Sequence, residues 1–168
     1  MAGLIPGDTK QPSNAVMETP LPIATNRLAI RTANSKLQAL SFVSGKTPLK
    51  APADAFTRQV VSQLKQYFAD PAFEFELETE LDGTTYQQRV WQELLKCAPG
   101  TVWSYGELAQ RIHSAPRAVG GACRRNPVPI VVPCHRVVAA SGLGGYAGKT
   151  GGAFMAIKQW LLQHESAR

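Results

Sequence analysis

The chain has 168 residues, 44% of them hydrophobic and 18% charged, with a formal net charge of +6. That composition is globular, and the length buries a core without disulfide staples, which excludes disordered, fibrous and small disulfide-scaffold classes. No apolar run approaches the roughly 18 residues that span a bilayer; the N-terminus lacks the pattern of a secretory signal, and the three cysteines make an odd count, so the expectation is a protein of the reducing cytoplasm with no membrane partner.

Residues 1–16 contain Gly3, Pro6, Gly7, Pro12 and Ser13 and are expected to form a flexible tail. Alternation over 27–33 (RLAIRTA) and 37–43 (LQALSFV) predicts two strands, with Asn34-Ser35 turning the chain between them. Phe56, Val60, Leu64 and Phe68 recur at helical spacing within 54–68, and Asp70-Pro71 closes that helix. Residues 73–79 (FEFELET) alternate again and predict a further strand with Phe73, Phe75 and Leu77 on one face. Residues 17–82 thus read as a small α/β unit with a short antiparallel sheet, ending near Asp82-Gly83.

From 83 to 168 the pattern is mainly helical, so the fold class expected for the whole chain is α+β. Thr84 or Thr85 caps a helix running to about Lys96. Ser104-Tyr105-Gly106-Glu107 matches a capping box that starts a helix at Tyr105, reaching about Ile112. Ser114-Ala115-Pro116 reads as an N-cap followed by a first-turn proline, opening a helix from Arg117 to about Arg125. Two short helices joined by a tight turn form a helix-turn-helix candidate. The charge points the same way: residues 1–80 balance eight cations with eight anions, whereas residues 81–168 carry ten against four. A polyanion, nucleic acid first, is the implied partner; a basic surface kept for solubility is the alternative. Arg117, Gly120, Gly121 and Arg124 share one helix face. The two glycines cost about 1 kcal/mol each relative to alanine. Either close approach to a groove or tight packing on another helix would offset that cost, and the residues alone leave both open.

The sharpest segment is Asn126-Pro127-Val128-Pro129-Ile130-Val131-Val132-Pro133-Cys134-His135-Arg136-Val137-Val138. Its three prolines restrict the backbone around an apolar run. A thiol delivered beside an imidazole and a guanidinium is a candidate nucleophile, since a nearby cation or base favours the thiolate. An inert buried cysteine is the competing reading.

These residues resemble the O6-alkylguanine-DNA alkyltransferases, the methylated-DNA–protein-cysteine methyltransferases. The family's Pro-Cys-His-Arg-Val signature stands at 133–137. Arg117-Ala118-Val119-Gly120 and Asn126-Pro127 match its recognition helix and asparagine hinge, and Val102 to Ala109 its first helix. Gly145-Tyr146 matches the loop after the signature, and Trp160 to Glu165 the C-terminal helix. The strong resemblance covers about 84–165, and a weaker one reaches back to about residue 17. It implies a ribonuclease-H-like first unit and a suicide reaction. Double-stranded DNA carrying O6-alkylguanine (O4-alkylthymine being the second candidate) is bound mainly through the minor groove. The damaged base is flipped out, and its alkyl group passes irreversibly to Cys134. Cys134 is the implied acceptor, His135 the base acting through a water, Glu165 its orienter, and Asn126 the bridge to the recognition helix. Tyr105 is implied to crowd the DNA backbone and protonate the departing guanine. Arg117 fills the vacated stack, while Gly120, Gly121, Arg124 and Arg125 face DNA. Val137, Val138, Tyr146 and Ala147 line the pocket. No cofactor and no metal are implied: the cysteines are only Cys97, Cys123 and Cys134 and no histidine precedes His113, so the zinc site of some relatives has no ligands here. A monomer is expected, without the regulatory domain that some bacterial relatives carry.

Three departures stand out. The turn at His113–Pro116 is about two residues shorter than in many relatives, Ala147 replaces a serine, and the stretch 148–153 is longer. Three other classes compete with repair. A recognition-only relative would lack the cysteine, a Cys-His hydrolase would leave the Arg117 helix unexplained, and a transcription regulator would leave Pro-Cys-His-Arg without a role.

Overall fold

The computed structural model describes residues 13–22, 26–146 and 152–166. Strands β1 (Ala15–Glu18), β2 (Arg27–Ala33) and β3 (Lys36–Val43) form an antiparallel sheet in that order. Asn34 (φ 53°) and Ser35 (φ 56°) make the two-residue turn between β2 and β3. Left-handed backbone at both positions matches the twist of the paired strands. β1 starts inside the stretch expected to be a tail. Ala15 is fully buried, and the Asn14 N–H donates to the Ile30 carbonyl at 2.7 Å, so the free edge of β2 receives residues 14–16.

Helix α1 (Ala55–Ala69) is capped by Asp54, whose carboxylate accepts from the Thr57 N–H at 2.8 Å. Its buried face is Thr57, Val60, Gln63, Leu64 and Tyr67. Phe56 and Phe68, which share the helical spacing of Val60 and Leu64, are half-buried at its margins. The predicted strand at 73–79 is instead an extended strap. Its one ladder contact is the bridge from Thr79 to Leu37. The Gln63 side chain supplies what a neighbouring strand would have, donating to the Glu76 carbonyl at 3.0 Å and accepting from the Glu76 N–H at 2.9 Å. Alternation reported the one-sided burial correctly, since Phe73, Phe75 and Leu77 pack on the core. It carries no information about whether a second backbone lies alongside.

In the second half, α2 (Thr85–Leu94) and α3 (Tyr105–Arg111) each begin with a complete capping box, Thr84 with Gln87 and Ser104 with Glu107. α3 ends with His113 left-handed (φ 54°), the Ser114 N–H bonding the Ala109 carbonyl and the His113 N–H the Gln110 carbonyl. This Schellman arrangement reverses the chain in few residues. It uses Ser114, so α4 (Pro116–Arg124) starts from Ala115 with no side-chain cap, contrary to the sequence expectation. The Ser114 hydroxyl bonds Tyr86 Oη instead, at 2.6 Å. Pro116 at the first position has no N–H that needs a cap. α4 buries Val119, Ala122 and Cys123. Trp91 Nε1 of α2 donates to the Ala122 carbonyl at 2.9 Å. Two short strands, β4 (Trp103–Ser104) and β5 (Val137–Val138), pair in parallel, and α5 (Ala153–Ser166) follows.

The fold is therefore mixed α/β, a small antiparallel sheet with several helices. One hydrophobic cluster runs from Ala15 to Leu161 and joins both halves. No described helix is long and apolar enough to cross a membrane.

Candidate active site

The segment leaving α4 is folded around one side chain. Asn126, 2% exposed, accepts the Val128 N–H on Oδ1 at 3.0 Å and donates from Nδ2 to the Val132 carbonyl at 2.8 Å. The same Nδ2 reaches Cys134 Sγ at 3.1 Å. Between these anchors Ile130 sits at φ 75°, a costly conformation for a β-branched residue that persists because its surroundings over-determine it. From the sheet, the Leu40 N–H bonds the Pro127 carbonyl at 2.9 Å. The strand edge in the first half thus holds the segment that carries the thiol.

Cys134 opens a short 3-10 turn, Cys134–Arg136, which sends His135 and Arg136 toward α5. His135 is fully buried, with Nε2 2.7 Å from Glu165 Oε1. Glu165 also accepts from Arg136, Nη2 at 2.8 Å and Nε at 3.0 Å, and from Tyr67 Oη at 2.9 Å. Burial alone would raise the Glu165 carboxyl, but its bonds from His135 and Arg136 outweigh that and hold it below the usual carboxylate range. An ionised carboxylate is an acceptor, so it places the imidazole proton on Nε2 and leaves the Nδ1 lone pair available. Nδ1 has no hydrogen-bond partner among the described residues. Burial keeps His135 below its ordinary value of 6.5, with the Glu165 contact opposing, so the ring is a neutral base at pH 7. Burial pushes the Cys134 thiol up, with the Asn126 hydrogen bond and the Lys158 charge pulling the other way. A thiol so placed needs a base to become a nucleophile.

The guanidinium adjacent in sequence does not serve the thiol. Arg136 turns to Glu165 and to the Cys97 carbonyl, and the cation acting on Cys134 is Lys158. Lys158 is fully buried on α5. Its Nζ donates to the carbonyls of Val137 at 2.7 Å and Gly145 at 2.9 Å, and also to that of Leu143. Burial lowers it to about 8, and the neighbouring thiols Cys134 and Cys123 oppose the shift.

Tyr105 stands between α4 and the loop after β5. A Cβ at Gly144 (φ 72°) would lie 3.1 Å from its ring, and one at Gly120 would lie 3.8 Å away. Pairing of β4 with β5 sets Trp103 opposite Val137, and Ser104, the residue before Tyr105, opposite Val138. Tyr146 is buried against Phe42, with ring centroids 6.1 Å apart. Ala147 and residues 148–151 of the longer loop lie outside the described residues. Arg117 and Arg124 are exposed on α4 and Arg125 just after it, with Gly120 and Gly121 half-exposed between Arg117 and Arg124. A Cβ at Gly121 would meet nothing within 4 Å. Packing on another helix therefore does not explain that glycine. Among the described residues, no group of three or more His, Cys, Asp or Glu side chains is placed to hold a metal ion.

Comparison with known proteins decides the family. A methylated-DNA–protein-cysteine methyltransferase of Methanosarcina acetivorans is 37% identical over 139 residues, which cover 78% of this chain and 86% of that protein. The chain belongs to the methylated-DNA–protein-cysteine methyltransferase family. Residues 85–167 match the family described as 6-O-methylguanine DNA methyltransferase, DNA binding domain. The Mycobacterium tuberculosis methyltransferase is 53% identical over 111 residues, 64% of each chain. The matched stretch thus spans less than two thirds of that relative's length. The crystal structure of Mycobacterium tuberculosis OGT in complex with DNA superposes with a TM-score of 0.74 at 38% identity, covering 90% of this chain and 91% of that one.

In this methyltransferase-family chain, sequence reasoning placed Cys134, His135, Glu165, Asn126 and Tyr105 in one site, and the fold brings them into one neighbourhood. It missed Tyr67 and Lys158 and left the partner of Arg136 open, which the fold supplies as Glu165. Signals for the first two were present. Thr57, Val60, Leu64 and Tyr67 follow a 3-4-3 spacing, and Lys158 interrupts the inward stripe Phe154, Ile157, Leu161 of α5. A cation on an apolar stripe is a buried charge in search of acceptors.

Proposed function

We propose that this protein repairs DNA by direct reversal, transferring the alkyl group of O6-alkylguanine in duplex DNA onto its own Cys134, once per chain. The observation that carries the reading is Asn126: one side chain at the end of an exposed, basic, glycine-bearing helix bonds the sulfur of a thiol adjoining a His–Glu pair. In the reaction, His135 Nδ1 takes the thiol proton through a water. The sulfur forms a bond to the alkyl carbon as the carbon–O6 bond breaks, and Tyr105 delivers a proton to N3 of the departing guanine. A thioether and guanine are the products, and the proton taken up by His135 replaces, through solvent, the one that Tyr105 gave, so the proton count is unchanged.

α3 and α4 act as the helix-turn-helix that enters the minor groove, and residues 17–82, with their ribonuclease-H-like arrangement, brace the thiol segment. Arg117 occupies the stack vacated by the flipped base, and Arg124 and Arg125 contact phosphate. Val137, Val138, Tyr146 and Ala147 form the base pocket. The test is the intact mass after mixing with a duplex that contains one O6-methylguanine. The expected result is the mass of one methyl group, one per chain, on the Cys134 peptide. Binding without mass gain would replace the reading with lesion recognition alone, and continuing product formation would replace it with a hydrolase.

The glycine face supplies a second expectation. Gly121→Ala removes the helix penalty of glycine where a methyl group has open space. The variant should be more stable by about 0.5–1 kcal/mol, yet bind duplex DNA several-fold more weakly. Thermal unfolding and fluorescence anisotropy measure the two. Gained stability with undiminished binding would remove this face from the DNA contact.

A further inference from the structure

The geometry points to Tyr67, on α1 in the first half of the chain, as a positioning residue of the proton relay: its hydroxyl fixes the Glu165 carboxylate that in turn orients His135. This rests on the reading of the site as an alkyl-transfer centre.

Tyr67 is fully buried, and its hydroxyl donates to Glu165 Oε1 at 2.9 Å, the same oxygen that His135 Nε2 meets at 2.7 Å. Arg136 spans both oxygens, Nη2 on Oε1 at 2.8 Å and Nε on Oε2 at 3.0 Å. The carboxylate is thereby held from two sides, by α1 and by the signature turn. α1 is itself locked to α5 beside the site. The Tyr67 carbonyl lies 2.7 Å from His164 Nε2, and the Tyr67 ring packs on Phe68, Phe75 and His164 with centroids 5.2–5.4 Å apart. Ninety-eight residues separate Tyr67 from Glu165 in the chain. A contact of that span at the relay's last member is the most direct link between the first half and the chemistry.

The hydroxyl has an electrostatic consequence as well as a geometric one. By donating to Oε1 it draws on the lone-pair density that would otherwise stabilise a protonated His135. The charged and titratable groups around the relay are Cys97 just after α2, Cys134, Arg136 and Tyr146 on the thiol segment and the loop after it, Lys158 and His164 on α5, and Tyr67 on α1. Of these, Tyr67 is the neutral donor to Glu165 and is removable without changing net charge.

Tyr67→Phe in the full chain keeps the ring and removes the donor. The single-turnover rate of methyl transfer should fall about tenfold, the factor of one hydrogen bond to a charged group. The acid limb of its pH profile should move upward, because His135 now holds its proton to higher pH. Melting temperature and DNA affinity should stay close to wild type. Val60→Ala, on the buried face of the same helix, opens a cavity and leaves the Tyr67 hydroxyl and its ring contacts in place; it should lower the melting temperature without moving the acid limb. An unchanged rate and profile in Y67F would overturn the assignment, as would an equal displacement of the acid limb in V60A. The His135 imidazole titration, followed by NMR in wild type and Y67F, is read without DNA. If wild type takes up no methyl group, the functional reading fails, while a Y67F shift in that titration still supports the positioning role and no shift rejects it.

Discussion

Cys134→Ala is expected to reduce methyl uptake below detection while leaving duplex binding within about twofold of wild type. The reaction needs a polarisable nucleophile at one place, and neither remaining thiol can substitute. Cys97, 1% exposed, is engaged with the Thr101 carbonyl, and burial pushes its thiol up to about 11. Cys123 faces the core from α4, and its thiol is pushed up by burial and by proximity to Cys134. Binding should survive because the exposed arginines of α4 do not depend on the sulfur, and Asn126 keeps its bonds to Val128 and Val132. Intact mass with peptide mapping, beside an anisotropy titration, measures both halves. Stoichiometric methylation of the variant at any residue would remove Cys134 from the mechanism.

Glu165→Gln should carry the second large effect, on both rate and stability. The carboxylate is 1% exposed and is the counter-ion of Arg136, itself 5% exposed. An amide in its place leaves a buried guanidinium uncompensated, a change that costs about 3–5 kcal/mol. It also releases the tautomer of His135, so transfer should slow by about 10²–10⁴-fold, the range of a general base out of place. The stability loss has a pH signature. The folded-state carboxyl lies below its ordinary value of 4.5, so its contribution is present above that pH and is lost as pH falls toward the folded value. The gap between wild type and E165Q should therefore be full at pH 7 and narrow in acid below about pH 4.5. Urea unfolding at both pH values checks this. A gap that widened in acid would show that Glu165 is not held as the anion.

Features fixed within a few residues were legible in the sequence. The Ser104 capping box, a threonine cap at the start of α2, the Asn34-Ser35 turn and the proline at the start of α4 stand where the local pattern places them, because each is closed by groups at most four positions apart. Local reading failed where two motifs compete for one residue. Ser114 was expected to cap α4, and the reversal after α3 uses it first. It failed again where burial needs a partner from elsewhere. The alternation of 73–79 is real, yet a glutamine side chain from α1, not a strand, satisfies its backbone.

The sequence by itself determined the chemistry on offer and its order along the chain: a cysteine framed by prolines, a histidine after it, an asparagine at the end of a basic helix, and a glutamate in the last helix. Only the tertiary structure decided which charges meet. Arg136 neighbours Cys134 in the chain but neutralises Glu165, while Lys158, twenty-four positions from the cysteine, is the cation that acts on it. Burial is the physical reason. Inside the core an ionised group persists only beside a counter-charge or a set of carbonyls, and those partners come from wherever the fold brings an acceptor, including α1 at the far end of the chain.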